Sequence, residues 1–128
     1  MTGVSAVLIE LVAWVPTVVP ALTDRVSTTF PHVFFLFPWC VIDTPTGVET
    51  RNVSGTYGKH LVRFSVFHTS QANVDTIVDS LISAMDTAAF SVNHFAGIRS
   101  RSPVLRDPDH PALYRRDFDM ETHVINVR

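Results

Sequence analysis

Cysteine, glycine and charge are all scarce in this chain, and each shortage excludes something. Cys40 is the only cysteine in 128 residues. A lone thiol makes no intrachain disulfide and no cysteine-based zinc site, so a reducing compartment fits better than a disulfide-stapled secreted fold. With five glycines there is no phosphate-cradling loop. The patterns G-x-G-x-x-G and G-x-x-x-x-G-K-[ST] are missing, as is the G-x-S-x-G nucleophile turn. Charged residues are 17% of the chain, against about 25% in ordinary domains. That thin cover suits a protein with an apolar face hidden by a partner. Ten basic and twelve acidic residues give a net charge of −2, so no basic field draws the chain onto nucleic acid.

Lysine is nearly absent, since nine of the ten basic residues are arginine and only Lys59 is not. Arginine suits planar, bidentate pairing with carboxylates at interfaces, although a GC-rich coding bias gives the same count. Long apolar runs are missing too. Residues 1–24 hold no Lys or Arg, and Glu10, Pro16 and Pro20 interrupt their apolar stretch. Neither a signal peptide nor a membrane span is expected, and the chain reads as soluble and unprocessed.

What is present suits one globular domain over residues 1–128, because 46% of the residues are hydrophobic. Val4, Val7, Leu8, Leu11, Val12 and Val15 recur at helical spacing, and Pro16 is expected to end or kink that helix. Residues 17–24 add a further turn. The apolar run from Val33 to Phe37, continued by Trp39 to Ile42, predicts a buried strand bent at Pro38. Residues 43–47 are turn chemistry, and 48–53 with 60–68 predict a hairpin around 54–58. In its second arm Val62, Phe64 and Val66 share one face, with Arg63 and Ser65 on the other.

A helix capped by Thr69 or Ser70 follows, with Val74, Ile77, Val78, Leu81, Ile82 and Met85 as its stripe. Its far face carries Asp75, Asp79 and Asp86. Residues 91–99 predict a strand, and a proline-bearing loop leads to a last one. There Tyr114, Phe118, Met120 and Val124 alternate with Arg115, Asp117, Asp119, Glu121 and His123. The order is α-β-β-β-α-β-β. It predicts an α+β fold, with a mixed or antiparallel sheet of about five strands and two helices packed on one face.

Catalytic chemistry finds no motif. The histidines His32, His60, His68, His94, His110 and His123 form neither H-x-x-x-H nor H-E-x-x-H. His60 and His68 lie about 27 Å apart at strand rise, too far to share an ion. Cys40 sits in an apolar strand that keeps its thiol protonated. Ser70 beside His68 is better explained as a helix cap. No catalytic, cofactor-binding or metal residue is therefore assigned. An enzyme or ligand-binding domain built on histidine remains the rival, and it requires two of His60, His68, His94 and His123 to meet a carboxylate in a pocket.

The basic residues gather in Arg99, Arg101, Arg106, Arg115 and Arg116, interleaved with carboxylates, while the second helix has acids and no bases. These arginines, with Asp75 and Asp79 as partners, are the candidate subunit contacts. Reversing Arg115 and Arg116 together is then expected to spare the fold and abolish assembly. Ion pairing inside one subunit is the alternative.

The stretch from Arg63 to Ala89, R-F-S-V-F-H-T-S-Q-A-N-V-D-T-I-V-D-S-L-I-S-A-M-D-T-A-A, joins an aromatic strand directly to a capped amphipathic helix. Then come R-S-R-S-P-V-L-R-D-P-D and the strand L-Y-R-R-D-F-D-M-E-T. With D-R-V-S-T-T-F-P-H-V-F-F-L upstream, residues 4–124 resemble the tail terminator, or tail completion, proteins of long-tailed bacteriophages. The resemblance implies a non-enzymatic virion protein without cofactor, forming a homohexameric ring. That ring caps the tail tube and meets a head-closure or connector protein of the neck. DNA passes its lumen only as cargo, no membrane is involved, and assembly takes place in the host cytoplasm. Another ring-forming neck component, a head-closure or connector protein, fits the same features.

Overall fold

The computed structural model describes residues 4–29, 37–52, 55–91, 93–106 and 113–126, without side chains at 4–6, 45–52, 55–60, 93 and 124–126. Helix α1 runs Val4–Val18 and is followed by a single 3-10 turn, Pro20–Leu22. Strand β1 is Val26–Ser27, β2 is Trp39–Asn52 and β3 is Gly55–His68. Helix α2, Gln71–Met85, precedes β4 at Asn93–Arg101, β5 at Leu105–Arg106 and β6 at Tyr114–Asn126. The sheet order is β1-β2-β3-β6-β4, with β5 beside the start of β6. Only β1 and β2 run parallel, so the sheet is mixed and the fold is α+β, as the sequence predicts. It has six strands: the two expected through 39–42 and at 48–53 are the single strand β2, and β1 and β5 are two-residue pieces too short to leave a period in the sequence.

Both helices cover one face. Val7, Leu11 and Val15 of α1 and Val74, Ile77, Val78, Leu81 and Met85 of α2 pack on Cys40, Ile42, Val62, Phe64, Val66, Phe118 and Met120. Phe64 and Phe118 stack at the centre with ring centroids 4.7 Å apart. Burying each such ring is worth about 1.5–3 kcal/mol, which fixes the register of β3 on β6. A smaller cluster of Val41, Phe67 and Leu113, with Phe37 and Trp39, lies on the opposite face. Glu10, the charge that interrupts the first apolar stretch, accepts hydrogen bonds from the Ser91 N–H and hydroxyl, each 2.7 Å. It thereby ties α1 to the segment after α2.

Three expectations are corrected. Of the two outcomes expected at Pro16, an end or a kink, the end is excluded, because α1 continues to Val18. So near the C-terminus a proline forfeits one bond, and the Val19 N–H still reaches the Val15 carbonyl at 3.0 Å. Residues 43–47 are not a turn. They belong to β2, which absorbs its extra residue as an irregularity between the pairs Asp43↔Arg63 and Thr46↔Leu61. Most of 54–58 is strand as well, since β3 starts at Gly55 opposite Asn52. Of the strand expected from Val33 to Ile42, residues 39–42 open β2 after a cis peptide between Phe37 and Pro38, and 33–36 lie outside the described residues. Gly97 sits at φ +145° where β4 departs from regular pairing, a conformation that side chains disfavour.

Candidate functional site

The sheet face turned away from the helices carries the polar chemistry. Pleating alternates side chains, so Phe118 and Met120 enter the core while Asp117, Asp119 and Glu121 point the other way. Arg63 on β3 lies opposite Asp119 and binds it through two bonds, Nε to Oδ1 at 2.8 Å and Nη2 to Oδ2 at 3.2 Å. The Ser100 hydroxyl of β4 donates to the same carboxylate at 3.0 Å. The Arg63 guanidinium and this hydroxyl hold Asp119 below the usual carboxylate range, against the effect of burial. Asp43 of β2, next in the row, has Oδ1 buried without a hydrogen-bond partner among the described residues.

A second group sits further along β6. The Arg99 Nε donates to Glu121 Oε1 at 2.7 Å, and Glu121 Oε2 lies 3.1 Å from His123 Nε2. His94 is the cross-strand neighbour of His123, with ring centroids 6.5 Å apart. At the other end Arg115 bonds Asp117 at 2.8 Å and lies over the Phe67 ring. Arg106 donates to the Tyr114 hydroxyl at 3.1 Å, and Arg101 is exposed beside a cleft of about 320 Å³ shared with Arg63, Ser100, Ser102, Asp117 and Asp119.

These pairs are layered. Side-chain exposure is 56% for Arg99 over 6% for Glu121, and 40% for Arg63 over 12% for Asp119. Here the cation is outermost. On the helix side the order is inverted: Arg116 is 16% exposed and holds Asp75 at 2.7 Å and Asp79 at 3.5 Å, which are 47% and 64% exposed. The chain therefore shows guanidinium tips from its sheet face and carboxylates from α2.

The structure thus gives Arg99, Arg115 and Arg116 partners inside the chain, and brings Asp75 and Asp79 to Arg116. Arg63, absent from the candidate arginines, holds Asp119, which also takes the Ser100 bond. Its signal was the outward position between Val62 and Phe64, legible only with the register on β6 in hand. Of the histidines, His123 meets a carboxylate, Glu121, and His94 lies beside the His123 ring. His68 stands apart at the start of α2, where its Nδ1 accepts the Ser70 N–H at 3.2 Å and burial lowers its pKa. The side chain of His60, and His32 and His110 altogether, lie outside the described residues. Among the described residues no group of three or more His, Cys, Asp or Glu is placed to hold a metal ion. Burial pushes the Cys40 thiol far above its ordinary range. No described helix is long and apolar enough to cross a membrane. An apolar groove of about 500 Å³ runs along α1, lined by Leu8, Ile9, Val12, Ala13 and Thr28, with Ile9 70% exposed.

Geometry therefore defines a class: an α+β chain whose polar groups are spent on one another across a sheet face. No protein-family model and no curated protein matches the chain. Among solved structures, it is similar to a chain of one described as the virion of a native gene transfer agent particle. The TM-score is 0.58 over 94% of this chain and 98% of that chain, at 14% sequence identity. At that identity the likeness is one of fold.

Proposed function

We propose that this protein is a structural component of a phage-like virion, and more narrowly a tail terminator. Copies form a ring that caps the finished tail tube and presents its other side to the neck. What carries the reading is the likeness to a virion chain over 94% of this chain and 98% of that one. Such a role needs no active site. It needs a rigid wedge with two unlike sides, because a head-to-tail contact repeated by rotation closes into a ring. Layered charges supply unlike sides, cation outermost on the sheet face and carboxylate outermost on α2.

Imaging of particles carrying the tagged protein tests this. A single ring directly on the last ring of the tail tube is the expected result. Density found only against the portal overturns the terminator role in favour of a head-closure or connector protein. The histidine rival has one observation behind it, the contact of His123 with Glu121 beside the His94 ring. Stoichiometric transition metal in the purified protein would replace the structural reading.

A further inference from the structure

Among the described residues, both edges of the sheet lack a strand neighbour over the same height. On one side β4 is the terminal strand from Asn93 to Arg101. On the other, β1 covers β2 only at Cys40 and Val41, and from Ile42 onward that edge has no strand neighbour among the described residues. The register links the two edges. Arg101 pairs with Phe118, Phe118 with Phe64, and Phe64 with Ile42. At the other end Asn93 pairs with Val124, Val124 with Gly58, and Gly58 with Glu49. Residues 93–101 of β4 therefore stand level with 42–49 of β2, across two intervening strands. Where β1 plugs the β2 edge, β4 has already ended.

Direction matches as well as height. From β2 through β3 and β6 to β4 each neighbour is antiparallel, so β2 and β4 run in opposite senses. A second copy set beside the first by rotation would bring its β2 antiparallel to the first copy's β4, without turning over. Both edges are also irregular at one height. The β2 irregularity between Asp43 and Thr46 falls opposite Val62, and that of β4 between Ile98 and Ser100 falls at Met120, the partner of Val62. Irregular edges resist indiscriminate pairing and favour a matched partner. The charges agree too. Segment 93–101 contains His94, Arg99 and Arg101 and no acid, while 42–49 contains Asp43 and Glu49 and no base.

We infer that β4 of one subunit adds to the free edge of β2 in the next, so that one antiparallel sheet runs through the ring. Strand tilt in a closed sheet shifts the contact by a few residues without changing the pair of strands. Main-chain hydrogen bonds give such a seam its strength, and the opposed charges choose the neighbour. This rests on the ring proposed above.

Hydrogen exchange on the full chain, dilute and assembled, tests it, with assembly read by native mass spectrometry and on purified tail tubes. Amides in both 93–101 and 42–49 should slow together by about tenfold or more on assembly. Ala96→Pro provides a second measurement, because exposed Ala96 has no partner in the β6 register and a proline is tolerated at such an irregular edge position. The variant should melt like wild type as a monomer and fail to assemble. A ring in which either segment exchanges at the monomer rate, or an Ala96→Pro ring of normal size, overturns the seam and leaves the functional reading standing. A chain that stays monomeric at every concentration and on tail tubes overturns both.

Discussion

Arg63 and Asp119 meet across adjacent strands through two nearly parallel hydrogen bonds, 2.8 and 3.2 Å long, on the sheet face that the helices leave uncovered. Asp119 is 9% exposed, and Ser100 supplies its other bond. Removing the arginine leaves that largely buried carboxylate half-satisfied. Arg63→Met is expected to cost about 1–3 kcal/mol in urea unfolding. Adding Asp119→Leu should recover part of the loss, because two apolar groups need no partners. A single variant as stable as wild type would show that the pair is surface ornament.

Acid should unfold the protein through the same carboxylate. Asp119 binds its proton less readily folded than unfolded, so its contribution is present above about pH 4, the unfolded value. It disappears as pH falls through the lower folded value. His68 acts in the same direction, since burial lowers its folded pKa and the unfolded chain takes up the proton first. Stability should rise with pH up to about 6.5 and gain nothing more from His68 above that. Melting curves from pH 3 to 8 check both: Arg63→Met should flatten the acid limb, and His68→Asn the limb just below about pH 6.5.

Arg116 is the poorest choice for a charge reversal meant to spare the fold. Its guanidinium lies between Asp75 and Asp79 and also donates to the Ser102 carbonyl at 3.0 Å. Arg116→Glu would put a third carboxylate there and is expected to cost about 1–3 kcal/mol. Arg115→Glu, whose partner Asp117 is on its own strand, should cost about 1 kcal/mol or less. Equal melting temperatures for the two single variants would contradict this ranking.

Ser70 caps α2 by accepting the Asn73 N–H at 3.4 Å, a long bond. Ser70→Ala should therefore destabilise by about 0.5–1 kcal/mol, the low end for such caps. Ser70→Asp should restore the loss, and thermal melts of the three proteins decide it.

How much of this was legible in the sequence depended on the range of the interaction. Val74, Ile77, Val78, Leu81 and Met85 declare their helix through spacing alone, and all five are buried. The alternation in β6 likewise separates Phe118 and Met120 from Asp117 and Asp119. The β2 irregularity was misread because Asp-Thr-Pro-Thr-Gly favours a turn locally, while thirteen residues of β3 pairing with β6 hold the hairpin straight. The Arg63–Asp119 bond joins residues 56 apart and follows from register, which no local pattern encodes.

The layering of charge on the sheet face also governs how a partner meets it. Arg63 with Asp119, and Arg99 with Glu121, cancel at any distance beyond the Debye length, about 8 Å at physiological salt. An approaching surface feels almost no pull and is not steered, so encounter should proceed at an unassisted rate with little dependence on ionic strength. Only at contact do the guanidinium tips become distinct from the acids beneath them. In the proposed ring, orientation is then judged after collision, by how quickly a wrong pairing falls off, and the tempo of assembly is left to concentration.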